Sequence, residues 1–442
     1  SVDADHSVTR WRGADYRTDV SAVPPTDVDR APRGRLSPDE ADIALSNAIL
    51  TDEGRQDPYG PYREIREGFG RYRSAIGSMI VADYESCLEV LRNPALGRPE
   101  PDMDLPPGLS GRERRPEDRR GSMLFANPPD HTRLRALVSR TFTPRRIEAM
   151  RPRIEALLTP ILDEMAEAGT VDVLEVLGAR LPAAVISDLL GVPPELHETL
   201  APHVRASTAF IDAAADDEAI ARAEAGVAVM AEVFEQLIAD KRRVPDDRLL
   251  SALIDVEEAG DRLSHEELLA NTGLMYAAGF ETTTNLIGNG LFALLTHPDE
   301  MTRLRADHTL IPSAVWELLR WDSPVQLNVR AVLREVELFY ETMPYGQLFT
   351  VLQGSGNRDE AAYPNADTLD VGRFVDRATP PPLSFGWGPH HCLGASLARA
   401  EGEIVFDALI DRFGSLELVD QPRYRASFTL RGLTSLIVEC QQ

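Results

Sequence analysis

Cys392 is the residue best placed to do chemistry. It sits in the run Phe385-Gly386-Trp387-Gly388-Pro389-His390-His391-Cys392-Leu393-Gly394-Ala395, and a helical pattern follows from Ala395 to about Phe413. Two closely spaced glycines let a backbone lie flat against a large ligand where a Cβ would collide. A cysteine at a helix N-terminus feels the positive end of the macrodipole and can face unpaired amide N–H groups. Such a setting lowers a thiol pKa from ~8.5 into roughly the 3.5–7.5 range. Cys392 is therefore expected to be a thiolate able to ligate metal. Two plainer readings stand beside this one. Lone buried cysteines usually serve packing, and His390, His391 and Cys392 could bind zinc. Against zinc, three successive residues alternate in direction, and no partner pair with ligand spacing occurs elsewhere.

A second candidate is Glu281, the only charged residue between Leu268 and His297. The stretch Ser264–His297 reads as one helix, with a possible capping box from Ser264 and Glu267 and a stop at Pro298. About 33 residues at ~1.5 Å each span roughly 50 Å, enough to cross a domain. Asn271, Thr272, Glu281, Asn285 and Asn289 make it too polar for a bilayer, so a central helix buried all round is expected. An isolated acid there is unfavourable unless it has partners or a purpose. Gly279, two residues earlier, lowers helix propensity by about 1 kcal/mol against alanine, so its missing side chain should serve something.

The order Phe-Gly-x-Gly-x-His-x-Cys-x-Gly resembles the haem-binding loop of the cytochrome P-450 family. Ala278-Gly279-Phe280-Glu281-Thr282-Thr283 is similar to that family's oxygen-binding groove. The resemblance covers the chain from about Ala41 onward. It implies a single, mainly α domain with small β-sheets and the long central helix over haem b (iron protoporphyrin IX). It makes Cys392 the iron ligand, with Phe385, Gly386, His390 and Gly394 around it, the thiolate favouring O–O cleavage. Ala278 and Gly279 would line the oxygen site, and Glu281 and Thr282 would deliver protons.

Two further motifs agree with it. Glu317 and Arg320 form an i,i+3 pair, a spacing that by itself means nothing because Glu117–Arg120, Glu148–Arg151 and Glu300–Arg303 repeat it. In its context, before a strand-like Val325–Leu333 and Arg373-Phe374, it resembles the family's structural triad, here Glu317, Arg320 and Arg373. The haem propionates need cationic donors. His131 and Arg135, four apart on one helix face, match family positions for this task together with Arg330 and His390. By position Met123, Leu124, Ala277, Gln326, Asn328 and Leu433 face the substrate. Gln326 and Asn328 hint at polar groups on it, as in a secondary-metabolite intermediate.

The rest of the chain must position these groups. Hydrophobic residues make up 43% of 442, enough for a large core. Residues 1–40 are proline-rich and charged without apolar periodicity, so they read as a loosely tethered extension before a domain over 41–442. Helical spacing dominates to Leu295, as in Arg146–Ala168 and Ile220–Arg243, with strand-like pieces near Val329–Val336, Gln347–Leu352 and Ser435–Glu439. The polar stretches Pro99–Gly121 and Asp212–Glu218 read as lids. A net charge of −25 argues against nucleic acid and anionic lipid partners. Three scattered cysteines fit a reducing cytosol, and the first residues carry no signal or anchor pattern. No nicotinamide or flavin fingerprint occurs. The function expected is a cytoplasmic haem-thiolate monooxygenase, inserting one atom of O2 by hydroxylation or epoxidation. Its electrons would come from a ferredoxin and its reductase, steered by Arg133, Arg140, Arg145, Arg146 and Arg399. The rivals are a peroxide-using or rearranging haem-thiolate enzyme and a non-catalytic haem binder.

Overall fold

The computed structural model describes residues 36–100, 102–103, 121–212, 215–258 and 263–441. Most of the polar stretch Pro99–Gly121, like residues 1–35, lies outside the described residues. The first helix, Pro38–Leu50, begins inside the stretch read as an extension. Ser37 caps it reciprocally, its N–H donating to Glu40 Oε2 at 2.7 Å while Glu40 N–H donates back to Ser37 Oγ at 3.3 Å. Its apolar face, Ala41, Leu45 and Ala48, is buried.

The central helix is His265–Thr296, with the Ser264–Glu267 capping box in place and His297 as its C-cap. Leu268, Met275, Phe280, Leu286, Ile287, Leu291 and Leu294 are all buried on it, so it is enclosed on most sides. Helices Arg180–Leu190, Asp217–Arg243, Ile311–Trp321 and Ala395–Arg412 pack around it. Pro144–Ala168 lies behind the last of these, with Ile147, Ile154, Leu158 and Met165 turned inward at helical spacing. Among the described residues no helix is long and apolar enough to cross a membrane.

The sheets are small and sit to one side. One has the order Arg71–Arg73, Met79–Val81, Leu348–Val351, Asn328–Val332, Leu96–Gly97. Its second and third strands run parallel and the other pairs antiparallel, with Arg330 opposite Phe349. A second sheet joins Thr170–Asp172, Ile437–Gln441 and Ser415–Leu418. The run expected as one strand over Val329–Val336 is broken after Val332. Leu333 turns its N–H to Ala95 O at 2.8 Å, and Val336–Leu338 restarts as a hairpin with Glu341–Met343. The stretch between the helices at 197–207 and 217–243 is a short 3-10 turn, Thr208–Phe210, followed by Asp216 capping the next helix; residues 213 and 214 lie outside the description.

Candidate active site

Cys392 lies just before the helix Ala395–Arg412, whose N-cap is Gly394. The loop is locked by its own backbone: Cys392 N–H donates to Phe385 O at 2.8 Å. Gly386 and Gly388 adopt φ of +65° and +67°, where a side chain would be strained. A Cβ on Gly388 would also meet Leu91 O at 2.5 Å, so this glycine admits the end of the helix Tyr84–Arg92 rather than a ligand. The cysteine side chain is accessible to solvent, yet the protein packed around it desolvates the sulfur.

The thiol does not behave as expected from the sequence. Burial pushes its pKa up, outweighing the backbone amides of Gly394 and Ala395 and the charge of Arg135 that pull it down. The helix terminus alone therefore does not make the thiolate. A metal ion at the sulfur would, because coordination deprotonates a thiol outright.

Beside the loop lies a cluster of basic side chains. His131 and His390 stack with ring centroids 4.1 Å apart. Burial and then the charges of Arg135, Arg98 and Arg330 push His131 down to about 4. His390 is pushed to about 2 by burial and then by Arg98, Arg330, His131 and Arg135. The charges acting on His131 are all basic, and its buried Nδ1 has no hydrogen-bond partner. Basic groups gathered this closely suit a dianion. Arg135 Nη2 donates to His391 O at 2.6 Å, linking this cluster to the cysteine loop. Arg330, 3% exposed, projects from the strand Asn328–Val332 and donates to Val329 O at 2.9 Å. Arg98 was not singled out in the sequence. It follows the short strand Leu96–Gly97 and carries no motif, and only the fold brings it here.

On the central helix Ala278 is exposed and Thr282 half-buried, one turn apart on a helix otherwise enclosed. Thr282 Oγ1 donates to Ala278 O at 2.9 Å. Gly279 is turned elsewhere: a Cβ there would meet Ile186 Cδ1 at 3.2 Å, so its bare face accommodates the helix Arg180–Leu190. Glu281 is buried and ion-paired with Arg425, a residue of the loop before the C-terminal strand. Arg425 Nη2 also donates to Asn285 Oδ1 at 2.6 Å. Glu281 and Arg425 border a pocket of about 370 Å3 shared with Arg205, Thr208, Asp212 and Leu430.

Glu317 and Arg320 are wholly buried, their ion pair closing at 2.7 Å and 2.8 Å. Arg373 Nε reaches the same carboxylate at 3.1 Å, and Asp370 N–H donates to it at 2.9 Å. Arg320 Nη1 donates to Asn357 O and Ala366 O at 2.9 and 2.8 Å. The triad thus pins the meander 357–373. Asn357 carries that order onward: its Oδ1 accepts Leu383 N–H at 2.7 Å and its Nδ2 donates to Ser384 Oγ at 2.9 Å, two residues before Gly386. Sequence reasoning missed Asn357.

A family profile described as cytochrome P-450 matches residues 110–431. The chain belongs to that family. Cytochrome P-450 107B1 of Saccharopolyspora erythraea is 38% identical over 399 residues, covering 88% of this chain and 96% of that protein. A 6-deoxyerythronolide B hydroxylase from the same organism is 39% identical over 331 residues, 73% of this chain and 80% of the relative. Among solved structures, P450BioI in complex with a hexadec-9Z-enoic acid ligated acyl carrier protein superposes with a TM-score of 0.80 at 32% identity, covering 88% of this chain and 99% of that one.

As a cytochrome P-450 the chain binds haem b and acts as a monooxygenase on a small organic substrate with O2. Its own residues fit the group: an accessible thiol, a buried imidazole nitrogen without a hydrogen-bond partner and several basic side chains lie close to the same loop. Zinc finds no such fit, because among the described residues no three His, Cys, Asp or Glu side chains converge on a metal position.

The residues expected to face substrate divide. Ala277 and Leu124 are half-buried. Met123 is buried, its N–H donating to Asn271 Oδ1 at 3.0 Å. Asn328 bonds to Gln353 and accepts from Arg330 at 3.2 Å, and so is occupied by the protein. Gln326, 2% exposed, turns its Nε2 to Ser323 O at 2.8 Å and packs on Gly354. Leu433 is a core residue, while Leu430, three positions earlier, borders the pocket.

Proposed function

We propose that Cys392 ligates the haem iron and that the chain hydroxylates or epoxidises a secondary-metabolite intermediate. The observation that carries this is the accessible Cys392 thiol beside the basic groups His131, Arg135, Arg330 and His390. Relatives named as a 6-deoxyerythronolide B hydroxylase and as a polyketide-biosynthesis P-450 support the substrate class. When bound, haem supplies the activation of O2, which a thiolate ligand favours.

The chain's residues do the remainder. His131, Arg135, Arg330, His390 and the added Arg98 hold the two propionates by charge-assisted bonds. Glu281 draws a proton from the pocket at its carboxylate, and Thr282 Oγ1 presents it on the helix face where Ala278 is exposed. Ala278 leaves space there for a small molecule. Glu317, Arg320 and Arg373, through Asn357, keep the cysteine loop in one geometry.

Electrons reach the site from a ferredoxin and its reductase in the cytoplasm. The arginines expected to steer that partner are partly neutralised: Arg133 pairs with Glu267 and Asp130, and Arg399 lies 3.4 Å from Glu403. Residues 41–442 make up one haem-thiolate domain in this reading, extended at its start by the helix from Pro38. Turnover with O2, ferredoxin and reductase, compared with peroxide alone, tests it. Product only with peroxide would favour the peroxide-using class.

A further inference from the structure

We infer that Asp322 is a positioning residue for proton delivery: it clamps the C-terminal loop through Tyr424 and Arg431, so that Arg425 between them meets Glu281. The inference rests on the relay reading above, in which Glu281 supplies the proton, and names what holds its partner in place.

Asp322 is 5% exposed and is the C-cap of the helix Ile311–Trp321. Its carboxylate accepts three short bonds. Tyr59 Oη and Arg431 Nε each donate to Oδ1 at 2.6 Å, and Tyr424 Oη donates to Oδ2 at 2.6 Å. Hydrogen bonds to an ionised acceptor are roughly twice as strong as neutral ones, and a buried acid without them is unfavourable. Two of the three donors belong to the C-terminal loop. Arg431 is held further by the carbonyls of Arg55 and Gln56, at 2.5 and 3.1 Å, and its guanidinium lies 3.4 Å from the Tyr424 ring centroid. Gln56 grips the other end of the loop, its Oε1 accepting Tyr424 N–H at 2.8 Å.

The loop is thus fixed at Tyr424 and at Arg431. Arg425 N–H donates to Gly432 O at 2.9 Å, closing its two arms on each other. From that closed pair Arg425 extends to Glu281 and Asn285. Arg431 O accepts Asn289 Nδ2 at 3.0 Å, one turn further along the same helix. Glu281, Asn285 and Asn289 recur every fourth residue, so the loop is docked along one face of the central helix. The Arg425 side chain is itself 33% exposed, so its order is supplied by the anchors on either side of it.

The test uses the haem-loaded protein and compares Tyr424→Phe with Tyr59→Phe. Each removes one 2.6 Å bond to the same carboxylate and keeps its ring, but only Tyr424 is on the loop. Both should lower the urea midpoint by similar amounts. Tyr424→Phe alone should raise hydrogen exchange over residues 423–434. It alone should lower product per reducing equivalent, by about threefold, less than Arg425→Gln because Arg431 still holds the loop. Adding Tyr424→Phe to Arg425→Gln should cause no further loss of coupling, since the two act through one ion pair. Equal coupling loss in both phenylalanine variants, none in Tyr424→Phe, an additive double variant or unchanged exchange in the loop would overturn the clamp. Full coupling in Arg425→Gln would sink the relay reading itself and this inference with it, so the two failures are distinguishable.

Discussion

Arg425 and Glu281 form an ion pair that joins the C-terminal loop to the middle of the central helix, the acid side chain 5% exposed and the arginine 33%. The same guanidinium holds Asn285 one turn further on. Gly432 makes this possible, because a Cβ there would meet Asn285 Oδ1 at 2.0 Å and Arg425 Nη2 at 2.5 Å.

Arg425 therefore orients the proposed proton donor. Arg425→Gln should keep haem and substrate binding while product per reducing equivalent falls by about tenfold, a part of the roughly 10²–10⁴-fold that general acid delivery contributes. Peroxide should rise in proportion, and Arg425→Lys should recover much of the yield. Unchanged coupling in the Gln variant would show that Glu281 works without this partner.

The sequence disclosed some of this arrangement and concealed the rest for identifiable reasons. Elements governed by local rules were legible: the Ser264–Glu267 box and the helix expected over Arg146–Ala168 appear at or near those residues, whereas the Glu317–Arg320 pair was singled out by the family resemblance and not by its spacing. Groups brought in by tertiary packing were not. Arg98, Asn357 and Arg425 act on partners 26 or more residues away and carry no motif. Glycines were legible as special but not in purpose. Gly279 and Gly388 make room for neighbouring helices, information held by Ile186 and Leu91 rather than by their own surroundings in sequence. The helix terminus was legible as a pull on the Cys392 thiol, but not the desolvation that opposes it in the absence of iron.

Thr282 is expected to govern coupling rather than folding. Thr282→Ala removes the hydroxyl that donates to Ala278 O at 2.9 Å, together with one methyl group. Thermal stability and haem content should be unchanged, whereas electrons should be diverted to peroxide or water. Wild-type product yield per electron would place the relay elsewhere.

The Glu317–Arg320–Arg373 triad should control stability. Glu317→Gln leaves two guanidinium groups without a counterion at a site with no exposure. Breaking a buried pair costs about 3–5 kcal/mol, so the urea midpoint should fall steeply and haem retention with it. A loss under about 1 kcal/mol, the size of a surface pair, would contradict the burial argument.

His131 gives a pH signature. In the haem-free fold it is held at about 4 by burial, Arg135, Arg98 and Arg330, with His390 stacked on it, against ~6.5 in an unfolded chain. The unfolded state then binds the extra proton, so stability is full above ~6.5 and declines as pH falls toward about 4. Haem propionates would favour the charged imidazole and weaken this decline. Urea unfolding of haem-free protein at pH 7 and 5 should show the loss, and His131→Phe should lack its share. An identical pH dependence in the variant would remove His131 from the account.

The most direct test of the whole account is the spectrum of the reduced protein under carbon monoxide. With Cys392 as thiolate ligand, wild type should show the red-shifted Soret band from which the family takes its name. Cys392→Ser should bind haem less tightly and lose that band. A wild-type protein without the band, or a serine variant that keeps it, would contradict the assignment of Cys392 as the iron ligand.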